Sequence, residues 1–135
     1  MNTILQLLKT RTVGDVQEDF SRQYPYLRID FFRELNGRLG SSLRQKLNRT
    51  AKLSSAGKLR EGDVEIYDAM TVGQLEKAFR EYFGINMQVS RRSGPVWLET
   101  TVTDKWTLKQ QNDHGRELSV PFKKILPEDE LEYDQ

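Results

Sequence analysis

Thr12-Val13-Gly14-Asp15-Val16-Gln17-Glu18-Asp19-Phe20 returns 59 residues later as Thr71-Val72-Gly73-Gln74-Leu75-Glu76-Lys77-Ala78-Phe79. A repeat of this kind is weighed first, because it decides architecture. Each copy spells a helix with a marked start. Thr71 and Gln74 complete a Ser/Thr-x-x-Glu/Gln capping box, while Thr12 and Asp15 fall just short of one. Apolar residues then recur at helical spacing. They are Val13, Val16, Phe20 and Tyr24 in the first copy, and Val72, Leu75, Phe79 and Phe83 in the second. Pro25 stops the first helix and Gly84 the second.

An alternating stretch follows each helix. Leu27, Ile29 and Phe31 alternate with Arg28 and Asp30; Ile85, Met87 and Val89 alternate with Asn86, Gln88 and Ser90. A period of two marks a half-buried strand. Short apolar strands precede the helices, at residues 4–8 and at Val64, Ile66 and Tyr67. Each copy is therefore β-α-β, giving units 4–34 and 63–92. The turn Arg92-Ser93-Gly94-Pro95 folds a β-rich stretch, 96–102, back on the strand at 85–90. Thr103 or Asp104 then caps a short final helix, from Lys105 to about Asn112, ending near Gly115.

The expected architecture is one α+β domain over residues 1–115. Its duplicated β-α-β units form a ferredoxin-like or related sheet of about five strands, with the helices on one face because crossovers are right-handed. A different strand order, or two half-domains side by side, stays open. Residues 35–62 read as a flexible basic linker. Between 37 and 60 lie Arg38, Arg44, Lys46, Arg49, Lys52, Lys58 and Arg60, and no acid. Residues 116–135 read as a loose tail, with five acids from Glu128 to Asp134.

Composition narrows the chemistry. A chain of 135 residues with 36% hydrophobic and 30% charged side chains is long enough for one packed domain. Its net charge of +1 argues against a partner chosen by electrostatics alone. With no cysteine, disulfides, thiolate zinc sites and cysteine nucleophiles are excluded. No apolar run approaches about 18 residues, the length a membrane helix needs. The apolar start (Ile4, Leu5, Leu7, Leu8) lacks the basic region and cleavage pattern of a secretory signal. A cytoplasmic chain without membrane contact is expected.

One resemblance extends over about three-quarters of the chain. Its residues are Met70-Thr71-Val72-Gly73-Gln74-Leu75-Glu76, Phe83-Gly84, Gln88-Val89-Ser90-Arg91-Arg92-Ser93-Gly94, Trp97-Leu98-Glu99-Thr100-Thr101, Thr103-Asp104-Lys105-Trp106-Thr107-Leu108 and Gln111-Asn112. This pattern resembles a family of small bacterial proteins with no established activity. Tyr24-Pro25-Tyr26-Leu27-Arg28-Ile29-Asp30-Phe31-Phe32 fits that family's first strand. The resemblance implies no catalytic residue, and the basic linker and acidic tail fall outside it.

The enzymatic options are thin. His114 is the only histidine, and with Asp104 or Asp113 and Ser119 it sketches a Ser-His-Asp set. No nucleophile-elbow pattern surrounds Ser119, so a solvated histidine at a helix end is the simpler reading. One histidine and no cysteine give no patterned metal site, and the Asp-x-Asp-x-Asp-Gly calcium loop is absent. Asp63 and Glu65 share one side of a strand and read as edge charges. No nucleotide-binding glycine motif occurs, and Gly14 and Gly73 belong to helix starts. No catalytic residue, cofactor or metal is expected.

Binding remains. A protein partner is the first expectation, with Arg91, Arg92, Trp97 and Trp106 around the hairpin as its contacts, since tryptophan and arginine anchor interfaces. The simpler reading buries both tryptophans partly, where the hairpin meets the last helix. Nucleic acid is the second expectation, through Arg28 and Phe32 on the sheet and Arg38, Arg44, Lys46 and Arg49 in the linker. The RNA-recognition signature is missing, and Gly37-Arg38-Leu39-Gly40 is only a fragment of a KH-type loop. An open sheet edge also allows pairing with a second copy.

Overall fold

The computed structural model describes residues 2–36 and 42–119. In chain order they form β1 (Thr3–Leu7), α1 (Val13–Gln23), β2 (Leu27–Asn36), β3 (Ser42–Lys46), a 3-10 turn (Leu53–Ala56), β4 (Gly62–Ile66), α2 (Val72–Tyr82), β5 (Asn86–Ser93), β6 (Val96–Glu99) and α3 (Leu108–Ser119). The class is α+β. Among the described residues there are two antiparallel sheets, β1-β4 and β3-β2-β5-β6.

The repeated helices begin as the sequence spells them, and more completely. The Thr12 hydroxyl accepts the Asp15 N–H at 3.1 Å, and the Asp15 carboxylate accepts the Thr12 N–H at 3.0 Å. The first copy is thus a full capping box like Thr71–Gln74, not a near miss. That backbone bond from Thr12, with its hydroxyl, holds the Asp15 carboxyl below its ordinary range.

Gly14 and Gly73 serve a different need. In both copies a loop crosses the helix start and fills its first backbone donors. Val13 and Gly14 N–H donate to Ala51 and Arg49 carbonyls at 2.9 and 3.0 Å. Val72 and Gly73 N–H donate to Trp106 and Asp104 carbonyls at 3.1 and 2.8 Å. A Cβ at Gly14 would stand 3.2 Å from the Arg49 carbonyl oxygen, and one at Gly73 would stand 3.3 Å from that of Asp104. These helix starts hold backbone carbonyls, which leaves no room there for phosphate.

The likeness of the halves runs further. Leu53 N–H donates to Arg11 O at 2.9 Å, and Leu108 N–H to Met70 O at 2.7 Å. Both leucines are fully buried. The 3-10 turn of the first half therefore stands where α3 begins in the second. Residues 35–62, expected as a flexible linker, instead carry the end of β2, all of β3 and that turn. Leu53, Ala56 and Leu59 enter the core, and Leu47 packs against it. The apolar residues scattered among the basic ones do this, and a charge count does not see them.

A single sheet of about five strands does not form. Each long strand uses both of its edges: β2 pairs with β3 and β5, and β5 pairs with β2 and β6. β1 and β4 join neither long strand and pair with each other from Thr3↔Ile66 to Leu7↔Gly62. The inner faces of both sheets share one core with the helices. Register Leu27↔Arg91, Ile29↔Val89 and Phe31↔Met87 sets that face of the larger sheet. The Phe31 and Phe79 rings meet there at 5.8 Å. Equivalent polar side chains dock the helices to the sheet. Gln17 donates to Ile29 O at 2.7 Å, and Glu76 accepts the Val89 N–H at 2.9 Å. Burial raises the Glu76 carboxyl above its ordinary range, against the opposing pull of that bond.

The final helix also differs from its sequence reading. Thr107, not Thr103 or Asp104, caps it, through a box with Gln110 at 3.1 and 2.9 Å. It passes through Gly115 to Ser119, so residues 116–119 are helical and not tail. Gly115 is a contact point: its absent Cβ would lie 3.0 Å from both Tyr26 Cβ and Arg91 Cγ. The last strand is shorter than 96–102, because Thr100 turns away to bond Val89 O through its N–H at 3.2 Å and its hydroxyl at 2.9 Å. The acidic run from Glu128 lies outside the described residues. No helix among the described residues is long and apolar enough to cross a membrane.

Candidate functional site

Strand alternation decides where the candidate residues go. Successive side chains of a strand point to opposite faces. Arg91, paired with Leu27, lies on the inner face, and Arg92, paired with Trp97, on the outer. The single hairpin surface expected from Arg91, Arg92, Trp97 and Trp106 is therefore split in two.

Arg91 and Trp106 belong to the α3 side. Arg91 donates to Gln111 Oε1 at 2.8 Å, and Gln111 donates onward to the Thr103 carbonyl and hydroxyl at 2.7 and 2.8 Å. The Arg91 guanidinium lies 5.7 Å from the Trp106 ring centre, and His114 meets that ring edge-on at 5.4 Å. Trp106 remains 37% exposed. Arg91 here fastens α3 to the sheet.

His114 sits 3.6 Å from Glu117 on the same helix. The Ser119 hydroxyl accepts the Gly94 N–H at 3.2 Å, and Asp113 pairs with Lys109 at 2.9 Å. Five residues along a helix put His114 and Ser119 on different sides. The Ser-His-Asp sketch is not brought together. Among the described residues, no group of three metal-ligating side chains converges.

The outer face of the four-stranded sheet collects the remaining candidates. Register places Arg28, Asp30 and Phe32 of β2 there, with Arg44 and Lys46 of β3, Gln88 and Arg92 of β5, and Trp97 and Glu99 of β6. The Arg28 guanidinium lies 4.8 Å from the Trp97 ring centre, and that of Arg92 lies 5.7 Å from it. Arg44 lies 4.2 Å over Phe32 and reaches Glu99 at 3.9 Å. That contact joins the two edge strands, so the twist of the sheet brings opposite corners of this face together.

Asp30 is the centre. It is 5% exposed and takes Arg28 at 3.1 Å, Lys46 at 3.6 Å and the Gln17 amide at 3.3 Å. Such partners offset the cost of burying a carboxyl group. Phe32, 8% exposed under Arg44, is structural filling more than a stacking platform.

Arg49 lies off the sheet. It pairs with Glu18 at 2.7 Å beside a groove of about 270 Å3 lined by Gln17, Ser21, Pro25, Arg28 and Trp97. Arg60, counted in the basic run, donates to the Glu81 and Tyr82 carbonyls and so caps the end of α2. Arg38 and the Gly37–Gly40 fragment lie outside the described residues. Asp63 and Glu65 are exposed on β4.

Two residues central to this geometry were not among the binding candidates expected from sequence. Gln17 betrays itself as a polar residue at core spacing beside Val13, Val16 and Phe20. Asp30 betrays itself as an acid within an alternating strand, next to Arg28.

No family model, no curated protein and no solved structure matches this chain. The reading of function therefore rests on the geometry alone.

Proposed function

We propose that the chain is a non-enzymatic binding domain that docks a protein partner on the outer face of the four-stranded sheet. One observation carries the reading. Trp97 stands partly exposed on the outer face, beside the groove that α1 borders with Gln17 and Ser21, and between the guanidinium groups of Arg28 and Arg92. Tryptophan and arginine supply most of the energy of protein interfaces when they are held rigid near the centre of a patch. The charges favour a protein over a nucleic acid. Arg28 and Lys46 share Asp30, and Arg44 reaches Glu99, so three of the four cations of this face already have a carboxylate. We further read the two halves as copies of one β-α-β-β unit in a cytoplasmic protein, which explains why the same helix-start crossings recur.

A second reading is nucleic-acid binding. It is favoured by the stacking of arginine on aromatic rings on a sheet face, a chemistry that single-stranded bases also use. Capture from a bacterial extract separates the two, with and without nuclease and at low and about 0.5 M salt. A protein that is retained through salt and nuclease supports the first reading. Nucleic acid that is lost with salt replaces it with the second.

A further inference from the structure

A cleft of about 510 Å3 opens where β2 outruns β5. Pairing between those strands stops at Phe32↔Asn86, so Arg33 and Glu34 project past the end of β5. The wall opposite is a tight backbone crossing. Gly57 bridges to Ile85, and a Cβ on Gly57 would lie 2.3 Å from Gly84 O. A Cβ on Gly84 would lie 2.4 Å from Lys58 O. Small residues thus leave the space open on a rigid support. Among the described residues Arg33, Lys58 and Arg80 line it, three cations against the carboxylate of Glu34. The carbonyl end of α2, which would repel an anion, is already covered. Arg60 donates to Glu81 O at 2.6 Å and Tyr82 O at 3.0 Å, and its N–H donates to Phe83 O at 2.9 Å.

We propose that this cleft binds a small phosphorylated molecule that carries no aromatic ring. The surplus of two positive charges matches a phosphate monoester, whose charge near neutrality is about −1.5 to −2. The volume is within the roughly 300–1,000 Å3 of small-molecule sites. None of the described lining residues is aromatic, so among them a base has nothing to stack on, whereas Ser55 and Asn86 offer neutral polar groups to a hydroxylated ligand. The cleft lies at the opposite end of β5 from Trp97 and does not depend on it.

The test is calorimetric titration of the full chain with glycerol 3-phosphate, and with AMP for comparison, at low ionic strength. Arg80→Ala and Lys58→Ala replace exposed side chains, and circular dichroism checks that both variants fold. The expected result is saturable binding of glycerol 3-phosphate, weakened roughly tenfold by either substitution, as loss of one charge-assisted bond implies. Arg80→Lys recovers part of it, and Trp97→Ala leaves it unchanged. Absence of saturable binding, or binding that neither substitution weakens, would overturn the site. Tighter binding of AMP than of glycerol 3-phosphate would overturn the ligand class.

Discussion

Replacing Gly84 by alanine isolates the backbone crossing that joins the two halves. Gly84 has φ +74, a left-handed conformation that costs an L-residue about 1–2 kcal/mol. Its Cβ would also lie 2.4 Å from the Lys58 carbonyl oxygen, a backbone atom that cannot rotate away. Gly57 blocks the retreat, because it too touches Gly84 across the crossing. Forced overpacking of this kind adds about 1–3 kcal/mol, so the total is about 2–5 kcal/mol. Gly94 supplies the control. It has φ +59, yet a Cβ there meets nothing within 4 Å. Gly94→Ala should lose only the conformational part, on the order of 1 kcal/mol. Urea and thermal unfolding of both variants give the comparison. The expected drop in melting temperature is on the order of 10 °C for Gly84→Ala and a few degrees for Gly94→Ala. Equal losses would refute the argument, since they would mean that the crossing yields freely.

Glu76 and α3 give the remaining stability predictions. Glu76→Ala leaves the fully buried Val89 N–H without its acceptor and should cost about 1–3 kcal/mol in urea unfolding. Glu76→Gln keeps an acceptor, as Gln17 does in the other half, and removes the penalty of a buried charge. Because burial raises the folded carboxyl above its ordinary range, its ionisation costs the fold stability as pH rises from the ordinary carboxylate range through the raised one. Glu76→Gln should therefore gain on the native chain between acid and neutral pH; a widening deficit there would contradict the burial argument. Thr107→Ala removes the cap of α3 and should cost about 1 kcal/mol. Amide exchange across 108–112 checks it.

The fold was legible where a local rule writes it. A capping box marks Thr71, and strict alternation marks Leu27 to Phe31 and Ile85 to Val89. Sheet partnership was not legible, because it depends on which strand edges stay open. The extension of β2 to Asn36 and the return of β3 settled that, and both lie in a stretch whose charge disguised it. Gly115 misled for a similar reason. A glycine after an apolar run reads as a stop signal, but here it is the point where a helix touches Tyr26 and Arg91. The candidate residues could be named from sequence as one hairpin surface, but the one-residue step from Arg91 to Arg92 sends them to opposite faces. Asp30 and Gln17, which hold the outer face together, act through tertiary contacts that no local pattern reports.

The central claim is that partners bind at the Trp97 face and not at the Trp106 corner. The most direct measurement is retention of a captured protein at about 0.5 M salt by the native chain, by Trp97→Ala and by Trp106→Ala. The account predicts that Trp97→Ala loses the partner, while Trp106→Ala keeps it. Retention by Trp97→Ala with loss by Trp106→Ala would contradict it and move the binding surface to α3.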